Sequence, residues 1–149
     1  MIFTLPAKFI FRLTRPTVII FAGKGRDIAI SAVSHLLKNY ISSFCLVREK
    51  ISFSCVTKKI IAISYSDLSD EDLRFLLVFA KKVLLVVTHT SDLYPDKIII
   101  PGQLQEAEKI HELSPLLSLN DVIFLNSDDE ALLEIKTKMK SSVVTFGLG

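Results

Sequence analysis

Short, continuous runs of apolar residues alternate along the chain with segments whose apolar residues recur at helical spacing. Five runs show no regular polar alternation, which is typical of strands buried on both faces of a sheet. These predicted strands are residues 17–21, 59–64, 83–88, 121–125 and 143–146. Residues 44–47 and 51–56 are weaker strand candidates.

The segments between the strands predict helices. Residues 28–38 carry an apolar stripe, and Ser69 followed by three acidic residues is typical of the N-terminus of a helix, here one that runs to about Lys82. Further helices are predicted over residues 102–117, with a break at Ser114–Pro115, and over residues 129–140. Residues 95–101 are predicted to be irregular or a short edge strand.

This alternation predicts an α/β fold, a three-layer sandwich with a mainly parallel sheet. We expect one domain over residues 1–149, with an amphipathic N-terminal segment, residues 1–16, whose helix ends before Pro16.

Composition narrows the class of protein. Half of the 149 residues are hydrophobic, which excludes intrinsic disorder. The net charge of +2 gives no electrostatic footprint for nucleic acid. No run of 18 apolar residues predicts a transmembrane segment, and we expect a cytoplasmic protein. Cys45 and Cys55 are expected to be reduced, with a disulfide or a metal site as the alternatives.

The turn after the first strand is the first candidate site, because ligands of parallel sheets bind at the carboxyl ends of strands. The later loops at residues 64–69, 88–96 and 126–130 lie at the same predicted edge. The turn contains Gly23, Lys24, Gly25, Arg26 and Asp27. A working phosphate loop ends in lysine and a hydroxyl residue, where this chain has Arg26 and Asp27. Two interpretations stay open: a tight turn with a helix cap, and a phosphate site.

Three segments of the sequence resemble a known protein family. Residues 16–31, Pro-Thr-Val-Ile-Ile-Phe-Ala-Gly-Lys-Gly-Arg-Asp-Ile-Ala-Ile-Ser, look like the ATP-binding start of the central domain of Mur ligases. Residues 113–129, which end in Asn-Ser-Asp-Asp, and residues 143–147, Val-Val-Thr-Phe-Gly, resemble later segments of that domain. The branch that adds D-alanyl-D-alanine to UDP-N-acetylmuramoyl-tripeptide is the most similar.

The resemblance implies ATP and Mg²⁺ binding, but several expected residues differ. Ile-Ser-Tyr-Ser at residues 63–66 stands where the family has a metal-binding glutamate. The family also has a metal-binding histidine directly after an aspartate, whereas here Asp92 is followed by Leu93. Lys109 aligns with a lysine that is carbamoylated in several members. The resemblance assigns Asn126 to the adenine side of the nucleotide pocket, and Asp129 in the same turn is a further candidate. We predict no metal site and no catalytic residue, and the candidate residues for weak binding of a nucleotide or anion are Gly23, Lys24, Gly25, Arg26, Asp27, Asn126 and Asp129.

The histidines and the remaining acidic residues do not predict a defined catalytic or metal site. His89 follows a strand end and is expected to be a loop histidine, with a site role as the alternative. His35 and His111 are expected to be structural, and Asp128 with Asp129 can form an ordinary turn.

The leading hypothesis is therefore a non-catalytic, Mur-ligase-like domain without a cofactor, which binds a partner or weakly binds a nucleotide or anion. The alternative is an ATP-dependent amide ligase module, completed by other domains or chains and using ATP and Mg²⁺. We expect self-association, with a homodimer slightly favoured over a monomer.

Overall fold

The computed structural model describes residues 2–48, 50–90, 110 and 112–148. Several sequence predictions lie outside these residues, namely those for residues 95–101, most of the helix over residues 102–117, Asp92, Lys109 and His111.

Within the described residues, six strands form one sheet, and all of its pairs are parallel. The strands are β1 (Thr17–Ala22), β2 (Phe44–Leu46), β3 (Ile60–Ser64), β4 (Lys82–Val87), β5 (Val122–Asn126) and β6 (Ser142–Phe146). Their order is β2-β3-β1-β4-β5-β6. The five continuous apolar runs are all strands, and so is the weaker candidate at residues 44–47. The last run, β6, is not buried on both faces as predicted, because it lies at the edge of the sheet, where only Val143 is half-buried.

Helices lie on both faces of the sheet. They are α1 (Leu5–Thr14), α2 (Arg26–Tyr40), α3 (Phe53–Val56), α4 (Asp70–Phe79) and α5 (Glu130–Lys136). Side chains of α1, α3, α4 and α5 share one core cluster with alternate residues of the strands, and we call this side the packed face. Of these five helices, α2 alone contributes to the cluster on the other side, the α2 face. The predicted three-layer α/β sandwich is confirmed.

The N-terminal segment is held on the packed face by a buried carboxylate. The backbone N–H of Ile2 donates to Oδ2 of Asp72 over 2.9 Å, and Asp72 is fully buried in α4. The guanidinium of Arg12 lies 4.3 Å from the ring centroid of Phe79. The predicted helix is confirmed, and it ends at Thr14, before Pro16.

Two local predictions were wrong. Residues 51–56 do not form a strand, because Phe53–Val56 turn into the short helix α3, which buries the adjacent residues Cys55 and Val56. The cysteines are not reduced: Cys45 and Cys55 form a disulfide that joins β2 to α3 across 5.4 Å between their Cα atoms.

Helix ends also differ from the predictions. Helix α4 ends at Phe79, so that Lys82 already begins β4, and α5 ends at Lys136 instead of Lys140. Within the described residues, no helix combines the length and the apolar character that spanning a bilayer requires.

Candidate functional site

The carboxyl end of β1 lies where the chain changes direction across the sheet. The connection after β1 passes through α2 on one face, whereas the connections after its neighbours β3 and β4 lead to residues of the packed face. Crevices for ligands in open α/β sheets form at such a switch point. The predicted phosphate-loop turn therefore occupies the position in the fold that binds ligands in this architecture.

The β1–α2 turn is bound tightly to the end of β4. Gly23 and Gly25 both have left-handed backbone, with φ of +88° and +77°. The N–H of Lys24 donates to the carbonyl oxygen of His89 over 2.6 Å, and the hydroxyl of Thr88 donates to the carbonyl of Lys24 over 2.6 Å. A side chain at Gly23 would collide with the backbone of His89, whereas the space around Gly25 is open. Gly23 is thus required by close packing, and Gly25 by its backbone conformation alone.

Arg26 is the first residue of α2, and its side chain folds back over the turn. Its Nε donates to Oγ of Ser64 over 3.1 Å, and its Nη1 donates to the carbonyl of Gly23 over 3.0 Å. Ser64 closes β3, and its hydroxyl also lies 2.8 Å from that of Ser66. These contacts fix the guanidinium between the ends of β1 and β3, beside the first turn of α2.

A cavity of about 340 Å³ opens next to this arginine. It lies between the first turns of α2 and the residues that end β2 and β3. Its polar lining comes from Asp27, Ser31, Arg48, Ser64 and Asp67. Because the wall holds two carboxylates and one guanidinium, it has no excess positive charge of its own. An anion in this region would depend on Arg26 and on the N–H groups of the helix start.

The β5–α5 turn uses its polar side chains to bind the main chain. Oδ1 of Asn126 accepts the N–H of Asp128 over 3.0 Å. Oδ1 of Asp129 accepts the N–H groups of Ala131 and Leu132 over 3.0 and 3.3 Å, so this residue caps α5. These two candidate residues for a nucleotide pocket therefore already hold a turn and a helix start.

The second oxygen of Asp129 connects this turn to the loop after β4. Oδ2 accepts both the N–H and the hydroxyl of Thr90 over 2.7 Å, and Nδ1 of His89 lies 3.0 Å away. Asp129 is 5% exposed. Through residues 88–90, the β1–α2 turn and the β5–α5 turn thus form one connected edge of the sheet.

Sequence reasoning singled out residues 23–27 but missed Ser64 and Thr88 as their partners. Both residues stand at the end of a predicted strand, and this position was the only available signal. His89 is half-buried beside Asp129 and is not the solvent-exposed loop histidine that was expected, and a site role for it stays a prediction. Among the described residues, no group of three or more His, Cys, Asp or Glu side chains could hold a metal ion.

Comparisons with known proteins add no relative. No protein-family model matches the chain, and a comparison with curated proteins finds no match either. The resemblance to Mur ligases rests on the segments quoted above, and membership of that family stays a prediction.

Proposed function

We propose that the chain is a non-catalytic, Mur-ligase-like domain that weakly binds a phosphate group at the β1–α2 turn. The observation that carries this proposal is the position of Arg26, whose guanidinium is held by Gly23 and Ser64 at the first turn of α2. The N–H groups at the start of a helix favour an anion, although that of Ile28 already donates to the carbonyl of Gly25 over 3.1 Å. A fixed arginine beside them supplies positive charge next to a cavity wall whose two carboxylates outnumber its one guanidinium.

The same geometry argues for weak binding of the phosphate group. Arg26 already donates from two of its nitrogens to the protein, and the N–H of Lys24 is bound to the carbonyl of His89. The carboxylate of Asp27, in the first turn of α2, repels an anion that approaches the same helix start. We therefore expect a dissociation constant for inorganic phosphate on the order of millimolar.

Mg²⁺-ATP fits the turn less well than a single phosphate group. A working phosphate loop offers a hydroxyl to Mg²⁺ at the position of Asp27 and a compact ammonium at the position of Arg26. Asp129 supports this conclusion, since both of its oxygens accept hydrogen bonds within the protein. A ligase completed by other chains would need these groups to be rearranged.

Titration calorimetry with phosphate, ADP and ATP, each with and without Mg²⁺, tests the proposal. Replacing Arg26→Ala removes the fixed guanidinium and should weaken phosphate binding by about fivefold or more, whereas Arg74→Ala, an exposed arginine of α4, should not change it. The change of net charge is the same in both variants. Equal losses in the two variants would contradict a site at Arg26.

A second pair of measurements distinguishes binding from catalysis. The double variant Arg26→Lys with Asp27→Thr should bind nucleotide more tightly than the parent and still release no phosphate in a coupled assay. Binding of Mg²⁺-ATP by the parent with micromolar affinity, or phosphate release above that of buffer, would favour the ligase alternative and overturn the proposal.

A further inference from the structure

Half of the α2 face is an apolar surface that no described helix covers. We call it the bare strip. It belongs to β4, β5 and β6, and its side chains are Leu84, Val86, Phe124, Val144 and Phe146. Val144 and Phe146 are 45% and 42% exposed. A groove of about 370 Å³, lined almost entirely by apolar side chains, runs between this strip and the flank of α2 formed by Ala29 and Val33.

Helix α2 has an apolar surface of its own that points away from the sheet. Ile28, Ala32, Leu36 and Tyr40 follow one another at intervals of four residues and form the α2 stripe. All four are exposed, with values of 78%, 57% and 84% for the three large side chains, Ile28, Leu36 and Tyr40. The opposite side of the helix is buried through Ile30. Exposed polar residues of α2, namely Ser31, His35, Lys38 and Asn39, lie beside the stripe, but a continuous exposed apolar row of this kind is unusual for the outer side of a helix in a monomer.

The dimensions of the two surfaces match. Strands lie about 4.8 Å apart, so the three strands β4, β5 and β6 make a strip about 14 Å wide. One helix with its side chains is about 10 Å across, and the 15 residues of α2 extend for about 22 Å. The bare strip therefore accommodates one helix of this kind beside α2 itself.

We propose that two copies of this chain pack with their α2 faces together, about a two-fold axis parallel to the strands. This rotation places α2 of each copy between its own β1–β3 region and the bare strip of the other copy. The α2 stripe then contacts Leu84, Val86, Phe124, Val144 and Phe146 of the second molecule. In this arrangement the α2 stripe of each copy covers the bare strip of the other copy.

A second copy fits these surfaces better than an unrelated partner because one rotation satisfies both of them at once. An interface about a two-fold axis needs a self-complementary surface, and here a convex stripe and a flat strip lie side by side. The net charge of +2 opposes association only weakly. Two contacts of this size remove about 1,200 Å² of accessible surface, which is the lower end of the range for specific interfaces.

The test is the oligomeric state of the full chain, measured by sedimentation velocity and light scattering across a range of concentrations. We expect a dimer at micromolar concentration. Leu36→Asp in the α2 stripe and Val144→Asp in the bare strip should each raise the dissociation constant by about 100-fold, since a two-fold axis places every substitution in the interface twice.

Matched controls keep this result specific to one face. Thr145→Asp introduces the same charge at the next residue of β6, which faces the other side of the sheet, and Phe9→Asp does so at an exposed apolar residue of α1. Both controls should remain dimeric. Circular dichroism and thermal unfolding of all four variants show that a loss of dimer is not a loss of fold.

Mixing the two disruptive variants supplies a result that the proposed geometry alone predicts. A mixed dimer of Leu36→Asp with Val144→Asp combines both substitutions in one contact and leaves the other contact native. The mixture should therefore associate more tightly than either variant alone. A monomeric parent at about 100 µM, a dimer that only Val144→Asp disrupts, or a mixture that stays monomeric would overturn the proposal.

Discussion

Both faces of the sheet are apolar, but helices bury one of them more completely than the other. On β4, the residues Val83, Leu85 and Val87 face the packed side and are at most 2% exposed, whereas Leu84 and Val86, between them, are half-buried. The same contrast holds on β5, where Ile123 and Leu125 are completely buried and Phe124 is not.

The apolar residues on the α2 face of β4 and β5 therefore exceed what the described helices of the same chain cover. A strand in a parallel sheet is apolar on both sides when both sides are covered. The described helices cover the packed face from β2 to β5, whereas on β6 Val143 is half-buried and Thr145 is exposed; they cover the α2 face over about half of the sheet. Strands β4 and β5 carry the composition of a sheet that is covered on both sides.

The same substitution at two adjacent residues of β4 tests the contrast between the two faces. Leu85→Ala on the packed face should lower the free energy of unfolding by about 3 to 5 kcal/mol, because it opens a cavity in a close-packed core. Leu84→Ala on the α2 face should cost about 1 kcal/mol, since Leu84 is already partly in contact with water. Urea denaturation at low protein concentration measures both values.

Protein concentration then tests why the two leucines differ. If a second copy covers the bare strip, the cost of Leu84→Ala grows as the concentration rises above the dissociation constant of the dimer, whereas the cost of Leu85→Ala stays the same. Equal costs for the two variants at low concentration would contradict the contrast between the faces.

The next largest effect concerns the carboxylate that holds the N-terminus on the packed face. Asp72→Asn removes a charge that accepts hydrogen bonds from the N–H of Ile2 and from the hydroxyl of Ser69. Hydrogen bonds to charged groups are stronger than neutral ones, so we expect a loss of about 3 kcal/mol in chemical denaturation at neutral pH. The conservative change keeps the size of the side chain, which limits the effect to the charge.

The dependence on pH identifies this carboxylate as the cause. Burial raises the pKa of Asp72. The hydrogen bonds from Ser69 and Ile2 and the charge of Lys8 lower this pKa by a larger amount, so it lies below its usual value. The stabilisation is therefore complete above the unfolded pKa of about 3.9 and is lost as the pH falls through the folded value. The difference between parent and Asp72→Asn should shrink below about pH 4. A constant difference down to pH 2 would contradict this assignment.

The disulfide on the packed face comes next in size. It closes a loop between residues ten positions apart, and restricting the unfolded chain in this way contributes about 2.5 kcal/mol. Reduction with a strong thiol should lower the unfolding midpoint of the parent accordingly. The double variant Cys45→Ala with Cys55→Ala should show the lower midpoint with or without the thiol, and a further shift on reduction would exclude the disulfide as the cause.

The sheet was predictable because its strands are short, apolar and separated by clear helical patterns. The segment at residues 51–56 was not, because Ile51, Phe53 and Cys55 alternate as in a strand while the chain folds into a helical turn. A run of this length does not distinguish the two structures. The disulfide was missed for a related reason, since only the packing of α3 on β2 brings its two cysteines together.

The candidate site was likewise predictable only in part. The turn at residues 23–27 follows from its glycines and from its place between a strand and a helix. The contact of Arg26 with Ser64 could not be predicted, because it depends on β3 lying next to β1 in the sheet. Sequence alone does not determine the order of the strands. The bonds of Asn126 and Asp129 within their own turn agree with the ordinary strand-to-helix turn that the sequence offered as an alternative to a nucleotide site.

The smallest effect compares how helices begin on the packed face. The hydroxyl of Ser69 accepts the N–H of Asp72 over 3.2 Å and caps α4, whereas Ser52 precedes α3 without a capping bond from its side chain. Ser69→Ala should therefore cost about 1 kcal/mol in chemical denaturation, and Ser52→Ala should change the stability by less than about 0.5 kcal/mol. Because Ser69 also donates to the carboxylate of Asp72, its cost should fall in the Asp72→Asn background. Strictly additive costs would show that the cap and the buried carboxylate act independently.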